Sequence, residues 1–150
     1  MIVVDTSVFI DAIFRFDENR SELVRKFFRF VQNVGLIVVV PEVFKVELIG
    51  QLVRRMKKEE AFKVYDSVMS NVNVVSIERI RETAFSVASE TGCRAIDAYF
   101  IATAKVTNSI LITNDRIMAK NAKKYGIEAY YLIEEFDNVM KRLKNLTNDS

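Results

Sequence analysis

The 150-residue chain has no histidine, one cysteine, one proline and four glycines. Without histidine, a Ser-His-Asp triad and a Cys-His dyad are excluded. With Cys93 as the lone thiol, a Cys/His zinc site and an intrachain disulfide are excluded as well. Chemistry is left to carboxylates, hydroxyls, amides and basic groups. So little glycine and proline rules out collagen-like and disordered compositions. An excess of one charge is also missing: 22 basic residues face 20 acidic ones, for a net charge of +2. That is not the positive field of a protein that grips duplex DNA everywhere, although local basic patches stay open. Long apolar runs are absent too. Gly35–Val40, closed by Pro41, falls far short of the roughly 20 residues a bilayer-spanning helix needs. Asp5 interrupts the N-terminus before a signal-peptide core can develop. The expectation is a soluble cytoplasmic protein with no membrane partner.

Half of the residues are apolar and 28% are charged, which suits one domain over residues 1–150 with a frayed tail at Asn148-Asp149-Ser150. Short β-branched runs alternate with longer helical patterns, the signature of a parallel α/β sheet flanked by helices. Five strands are expected at Ile2–Asp5, Leu36–Val40, Val72–Ser76, Ile110–Thr113 and Ala129–Ile133. Most are too continuously apolar for a sheet with one face in water, so helices should cover both faces. The helices expected between them are Ser7–Phe14, Ser21–Val34 with Leu23, Phe27, Val31 and Val34 on one stripe, Pro41 to about Met56, and Glu59–Asn71. Glu78–Thr91, Ile96–Lys105, Asp115–Tyr125 and a last helix from about Glu134 complete the set. Gly35, Gly92 and Gly126 stand where C-caps belong, and Pro41 stands where a helix can open.

Four acids interrupt this pattern. Asp5 ends the first strand where another apolar residue would extend the core, and in open α/β sheets ligands bind at the carboxyl ends of strands. Capping of the next helix is the alternative role. Asp115 follows the fourth strand in the same way, with the same alternative. A strand order of 3-2-1-4-5 would bring the two together across the crevice where the winding reverses. Asp97 sits in Ala95–Ala104, a segment otherwise free of charge, where an unpartnered carboxylate costs several kcal/mol to desolvate. A pair with Arg94 or a first-turn helix-dipole contact is the competing explanation. Glu47 is ordinary taken alone, because Lys45, Arg54 and Arg55 show that its helix has a solvated face. Four carboxylates at one sheet edge would repel and raise one another's pKa unless a divalent cation neutralised them. Ligation by oxygen alone points to Mg²⁺ or Mn²⁺, ions suited to phosphate-ester chemistry.

Met1-Ile2-Val3-Val4-Asp5-Thr6-Ser7, Glu47-Leu48-Ile49-Gly50, Asp97-Ala98-Tyr99-Phe100-Ile101-Ala102 and Thr113-Asn114-Asp115 resemble, in this order and along the length of the chain, the four acidic motifs of PIN-domain nucleases. Among these, they resemble the VapC-type toxins of prokaryotic toxin–antitoxin pairs. The resemblance implies a single PIN-like domain and a Mg²⁺- or Mn²⁺-dependent endoribonuclease. It implies Asp5, Glu47, Asp97 and Asp115 as catalytic residues and metal ligands, with Ser7 and Thr113 as supporting hydroxyls. It further implies a homodimer and an inhibitory antitoxin protein encoded beside it. Many relatives carry another Asp two places after the fourth acid, followed by Phe. Here those places hold Ile117 and Met118, so one ion is expected and a second is left open. Asp11, Asp66, Glu135 and Asp137 are assigned to helix surfaces and first turns.

Arg54, Arg55, Arg116 and Lys120 are candidates for contacts to RNA phosphates, which position a strand without reading its sequence; a solvated face is the plainer explanation. Tyr99 could stack a base or pack in the core. Phe9, Phe14, Phe16, Phe27, Phe28 and Phe30 suggest either a Phe-rich core or a groove for a partner's amphipathic helix, the place an antitoxin would take. Ser7, standing where its second Asp is needed, counts against haloacid-dehalogenase chemistry. Val74-Val75-Ser76-Ile77, which offers no phosphorylatable Asp, counts against a receiver domain. The alternatives that stay open are a housekeeping RNA-processing nuclease without antitoxin and a dimeric RNA- or protein-binding scaffold that does no catalysis.

Overall fold

Five short strands, β1 (Ile2–Val4), β2 (Val38–Pro41), β3 (Asn73–Val75), β4 (Ile110–Thr113) and β5 (Ala129–Tyr131), pair in parallel in the order β3-β2-β1-β4-β5. The computed structural model describes residues 1–148. Asn148 is the last residue of a helix, and Asp149 and Ser150, the rest of the expected frayed tail, lie outside the described residues. Between β1 and β2 run α1 (Thr6–Ile13) and α2 (Glu18–Val34), and between β2 and β3 run α3 (Val43–Val53) and α4 (Lys58–Met69). The long return to the other side of β1 passes through α5 (Ile77–Thr91) and α6 (Ala95–Thr107). Then α7 (Arg116–Lys124) leads to β5 and α8 (Phe136–Asn148) closes the chain. No helix among the described residues is long and apolar enough to cross a membrane.

The residues of β1, β2 and β4 are buried on both faces, which explains their unbroken Val/Ile/Leu runs. Right-handed crossovers account for this cover. Steps toward β3 lay their helices on one face, and steps toward β5 lay theirs on the other. The expectation of full cover fails at the β3 edge, where Asn73 and Val74 are exposed and only Val75 is buried. An edge strand has no further neighbour to shield it.

Local signals explain most boundaries. Asp17 caps α2 by accepting the Arg20 N–H, and Gly35 ends it at a φ of 71° that favours glycine. The buried stripe of α2 is Val24, Phe27 and Val31 rather than one through Leu23 and Val34, because Val34 sits in the open last turn. Pro41 does not open a helix. It is the buried last residue of β2, registered with Val75, and the next N–H, that of Glu42, donates to the Val75 carbonyl at 2.9 Å. A residue without an N–H suits a strand's final position as well as a helix's first, and α3 starts two residues later. The winding reverses between β1 and β4, so their carboxyl ends open into a crevice.

Candidate active site

The Asp5 N–H donates to the Ile112 carbonyl at 2.9 Å, extending the β1–β4 ladder by one rung before the backbone turns into α1. Asp5 occupies the N-cap position of α1, yet its side chain makes no capping bond. Its Oδ2 instead accepts from Ser7 Oγ at 2.6 Å and from Thr113 Oγ1 at 2.9 Å. Each hydroxyl is itself oriented by the loop after β4: Ser7 Oγ accepts the Asn114 N–H at 3.0 Å, and Thr113 Oγ1 accepts the Asp115 N–H at 2.9 Å. Two hydroxyls therefore relay backbone donors of one strand end onto the carboxylate of its neighbour. Asp5 is only 4% exposed. Burial raises its pKa, the two hydroxyl bonds oppose the rise, and the Asp115 charge adds to it.

Asp115 divides its oxygens between two tasks. Oδ1 caps α7, accepting the N–H groups of Ile117 at 2.9 Å and Met118 at 3.1 Å, while Oδ2 lies 3.5 Å from a guanidinium nitrogen of Arg94. Asp97, in the first turn of α6, is 6% exposed. Burial drives its pKa up to about 6, Arg94 offsets part of that rise, and the charges of Asp115 and Asp5 reinforce it. Glu47 is the fifth residue of α3. Its pKa is raised first by burial and then by the charges of Asp5 and Asp97. The Thr6 hydroxyl, buried and without a partner in hydrogen-bond geometry, lies close enough to Glu47 to offset part of the rise.

All four acids line one pocket of about 300 Å³, with Ser7, Gln51, Arg94, Ile96 and Met118 completing its wall. Among the described residues no three of the acids stand close enough together to grip an ion as they are placed. The donor set nonetheless suits a hard divalent cation: it is all oxygen, and three of its members are strained as anions, a strain that a bound cation relieves. The family model of the PIN domain matches residues 2–124. The chain belongs to the PIN domain family. PIN domains are in general nucleases.

Solved structures similar to this PIN domain include VapBC2 from Rickettsia felis bound to a DNA fragment from its promoter, with 15% identity and a TM-score of 0.68 over 87% of this chain and 98% of that one. DNA-bound VapBC from Salmonella typhimurium gives 17% identity and a TM-score of 0.65 over 87% and 98% of the two chains. A toxin–antitoxin complex from Klebsiella pneumoniae gives 16% and 0.57 over 77% and 87%. At these identities the likeness is one of fold. No curated protein matched the sequence.

The basic residues singled out from the sequence stand off the pocket wall of this PIN domain. Arg54 and Arg55 donate to carbonyls of their own helix, those of Gly50 and Gln51, and Arg55 also lies over the rings of Phe14 and Phe16 at 5.6 Å from each. Arg116 pairs with Glu134 and covers Tyr131, while Lys120 is exposed. Tyr99 packs against the core. Of the six phenylalanines, Phe27 is wholly in the core, Phe14 and Phe16 stack on each other, and Phe9 and Phe28 line an apolar cavity of about 480 Å³ between α1, α2 and α4.

Two features escaped the sequence reading. Arg94 is a pocket residue placed between two acids, not only a partner of Asp97. Asp11 is no surface acid: its Oδ2 accepts from Asn114 Nδ2 at 2.7 Å and from Arg20 Nε at 2.8 Å, which ties α1 and α2 to the loop that carries Asp115. No sequence signal set Asp11 apart from a helix-surface acid, because its partners lie outside its own helix.

Proposed function

We propose that this PIN domain is a Mg²⁺- or Mn²⁺-dependent endoribonuclease, the toxin of a VapBC-type pair. The observation that carries the reading is the convergence of Asp5, Glu47, Asp97 and Asp115 on one pocket at the switch point of the sheet. Asp5, Asp97 and Asp115 would hold the ion, with Glu47 reaching it from α3. When bound, such an ion supplies a water of lowered pKa and neutralises charge on the phosphate oxygens. This chain's own part is positional. Ser7 and Thr113 fix Asp5 Oδ2, the cap on α7 fixes Asp115, and the buried floor keeps bulk water from screening the carboxylates.

Ile117 gives no oxygen where a further ligand would stand, so the proposal is for one firmly held ion. Arg54, Arg55, Arg116 and Lys120, off the pocket wall, are proposed as phosphate contacts. The reading includes a cytoplasmic homodimer held in check by an antitoxin, in line with the fold shared with proteins solved as VapBC and toxin–antitoxin complexes. The test is cleavage of single-stranded RNA by purified protein with Mg²⁺ or Mn²⁺ and with excess chelator. Metal-dependent cuts that vanish in chelator are expected; undiminished cleavage in chelator, or none with either metal, refutes the assignment.

A further inference from the structure

Among the described residues that line the pocket, Arg94 is the one cation. It stands at the N-cap position of α6, and its guanidinium reaches two acids carried by different elements: Asp97 on α6 at 3.9 Å and Asp115 after β4 at 3.5 Å. Both separations exceed the roughly 2.8 Å of a charge-assisted hydrogen bond. Charge, rather than fixed donor geometry, therefore holds the group in place. The side chain is 76% exposed, so it can leave the two carboxylates without opening the core or stranding a buried charge of its own. The acids cannot spare a counter-charge so easily, since Asp97 is buried and Asp5 lies beside it.

A planar guanidinium is also the group best matched to phosphate oxygens. Set at the mouth of a pocket that would receive a phosphodiester, it has one partner inside and another outside. We infer that Arg94 is an internal stand-in for the divalent cation, bridging Asp97 and Asp115 while the metal is absent and turning outward to a phosphate of the RNA when the metal arrives. This rests on the proposed metal-dependent reading and extends it to a residue that the four acidic motifs leave out. In this role Arg94 keeps the empty site from flying apart electrostatically and competes with the ion for two of its ligands.

The competition gives opposite signs for metal and substrate, which a plain surface ion pair does not. In calorimetric Mn²⁺ titrations at pH 8, Arg94→Ala is expected to bind the ion at least about fivefold more tightly than wild type, the lower end of a typical coupling between sites. Arg94→Lys, which keeps the charge, is expected to stay near wild type. In steady-state cleavage of a single-stranded RNA, Arg94→Ala is expected to raise KM more than it lowers kcat, with Arg94→Lys recovering part of the loss. Thermal melts in chelator should show Arg94→Ala below wild type, and the gap should close at saturating Mn²⁺. Unchanged or weaker Mn²⁺ affinity in Arg94→Ala, beside a wild type that binds Mn²⁺ and cuts RNA, overturns this inference and leaves the nuclease assignment standing. A wild type that binds no Mn²⁺ overturns both.

Discussion

Replacing Asp97 by Asn separates a carboxylate kept for chemistry from one kept for structure. The change leaves the shape and removes the charge. Two terms oppose each other. The pair with Arg94, at 3.9 Å to a largely exposed guanidinium, contributes on the order of 0.5 kcal/mol. Net of that attraction, burial and the neighbouring acids still raise the Asp97 pKa from 3.8 to about 6. At 1.36 kcal/mol per unit, ionised Asp97 therefore costs the fold about 3 kcal/mol. The sign follows from linkage: between these two values the folded chain holds more protons than the unfolded one, so stability is full below about pH 4 and is lost as pH rises through 6. The gain from Asp97→Asn in metal-free protein should be about 3 kcal/mol at pH 8, about half of that at pH 5, and small at pH 4. Urea unfolding in chelator at the three pH values measures it, and the same variant should lose RNA cleavage with Mn²⁺. A variant less stable than wild type at pH 8, or a gain that does not change with pH, would refute the reasoning and make the ion pair with Arg94 the residue's purpose.

Two further outcomes follow from the same site. Glu47→Gln keeps the length of the side chain and removes a charge that burial and Asp5 already disfavour. It should weaken Mn²⁺ binding by calorimetry and slow single-turnover cleavage at least tenfold, or about 1.4 kcal/mol of transition-state stabilisation; wild-type affinity and rate would leave a three-aspartate centre. Thr113→Val preserves volume but strips Asp5 Oδ2 of a donor and the Asp115 N–H of its acceptor. A stability loss of about 1 to 3 kcal/mol is expected in urea unfolding at pH 8, and a variant as stable as wild type would show that the relay carries no load.

The strand order was legible from the alternation of apolar runs and helical patterns. Three of the four acids that line the pocket stood out because a charge at the end of an apolar run, or alone in an apolar helix, breaks a pattern that burial otherwise explains, whereas Glu47 was marked only by the resemblance. Asp5 and Asp97 are the clearest cases. Asp115 was readable both as a cap and as a site residue, and the structure gives one oxygen to the cap and turns the other toward Arg94. What stayed hidden depends on contacts far apart in sequence. Asn114 meets Asp11 across 103 residues, and no local periodicity marks Asp11 as different from any helix-surface acid. Arg94 was visible as a neighbour of Asp97 three places along the chain, whereas its approach to Asp115 needs the sheet to be assembled first. Pro41 was misplaced for a simpler reason: its missing N–H suits the end of a strand and the start of a helix equally, and only the pairing with Val75 decides.

The hydroxyl of Thr113 has a consequence for how the chain finds its pairing. β1 and β4 match Ile2 with Ile110, Val3 with Leu111 and Val4 with Ile112, a ladder of interchangeable aliphatic residues that says little about which partner is correct. The next rung is different, for there Asp5 meets Thr113. A slip of one residue would turn Thr113 to the opposite face of the sheet and leave a buried carboxylate facing hydrocarbon. Such misalignment would cost several kcal/mol on an otherwise featureless strip. The polar rung thus serves as the alignment mark of the central pair, so a chain that pairs wrongly also fails to assemble its pocket.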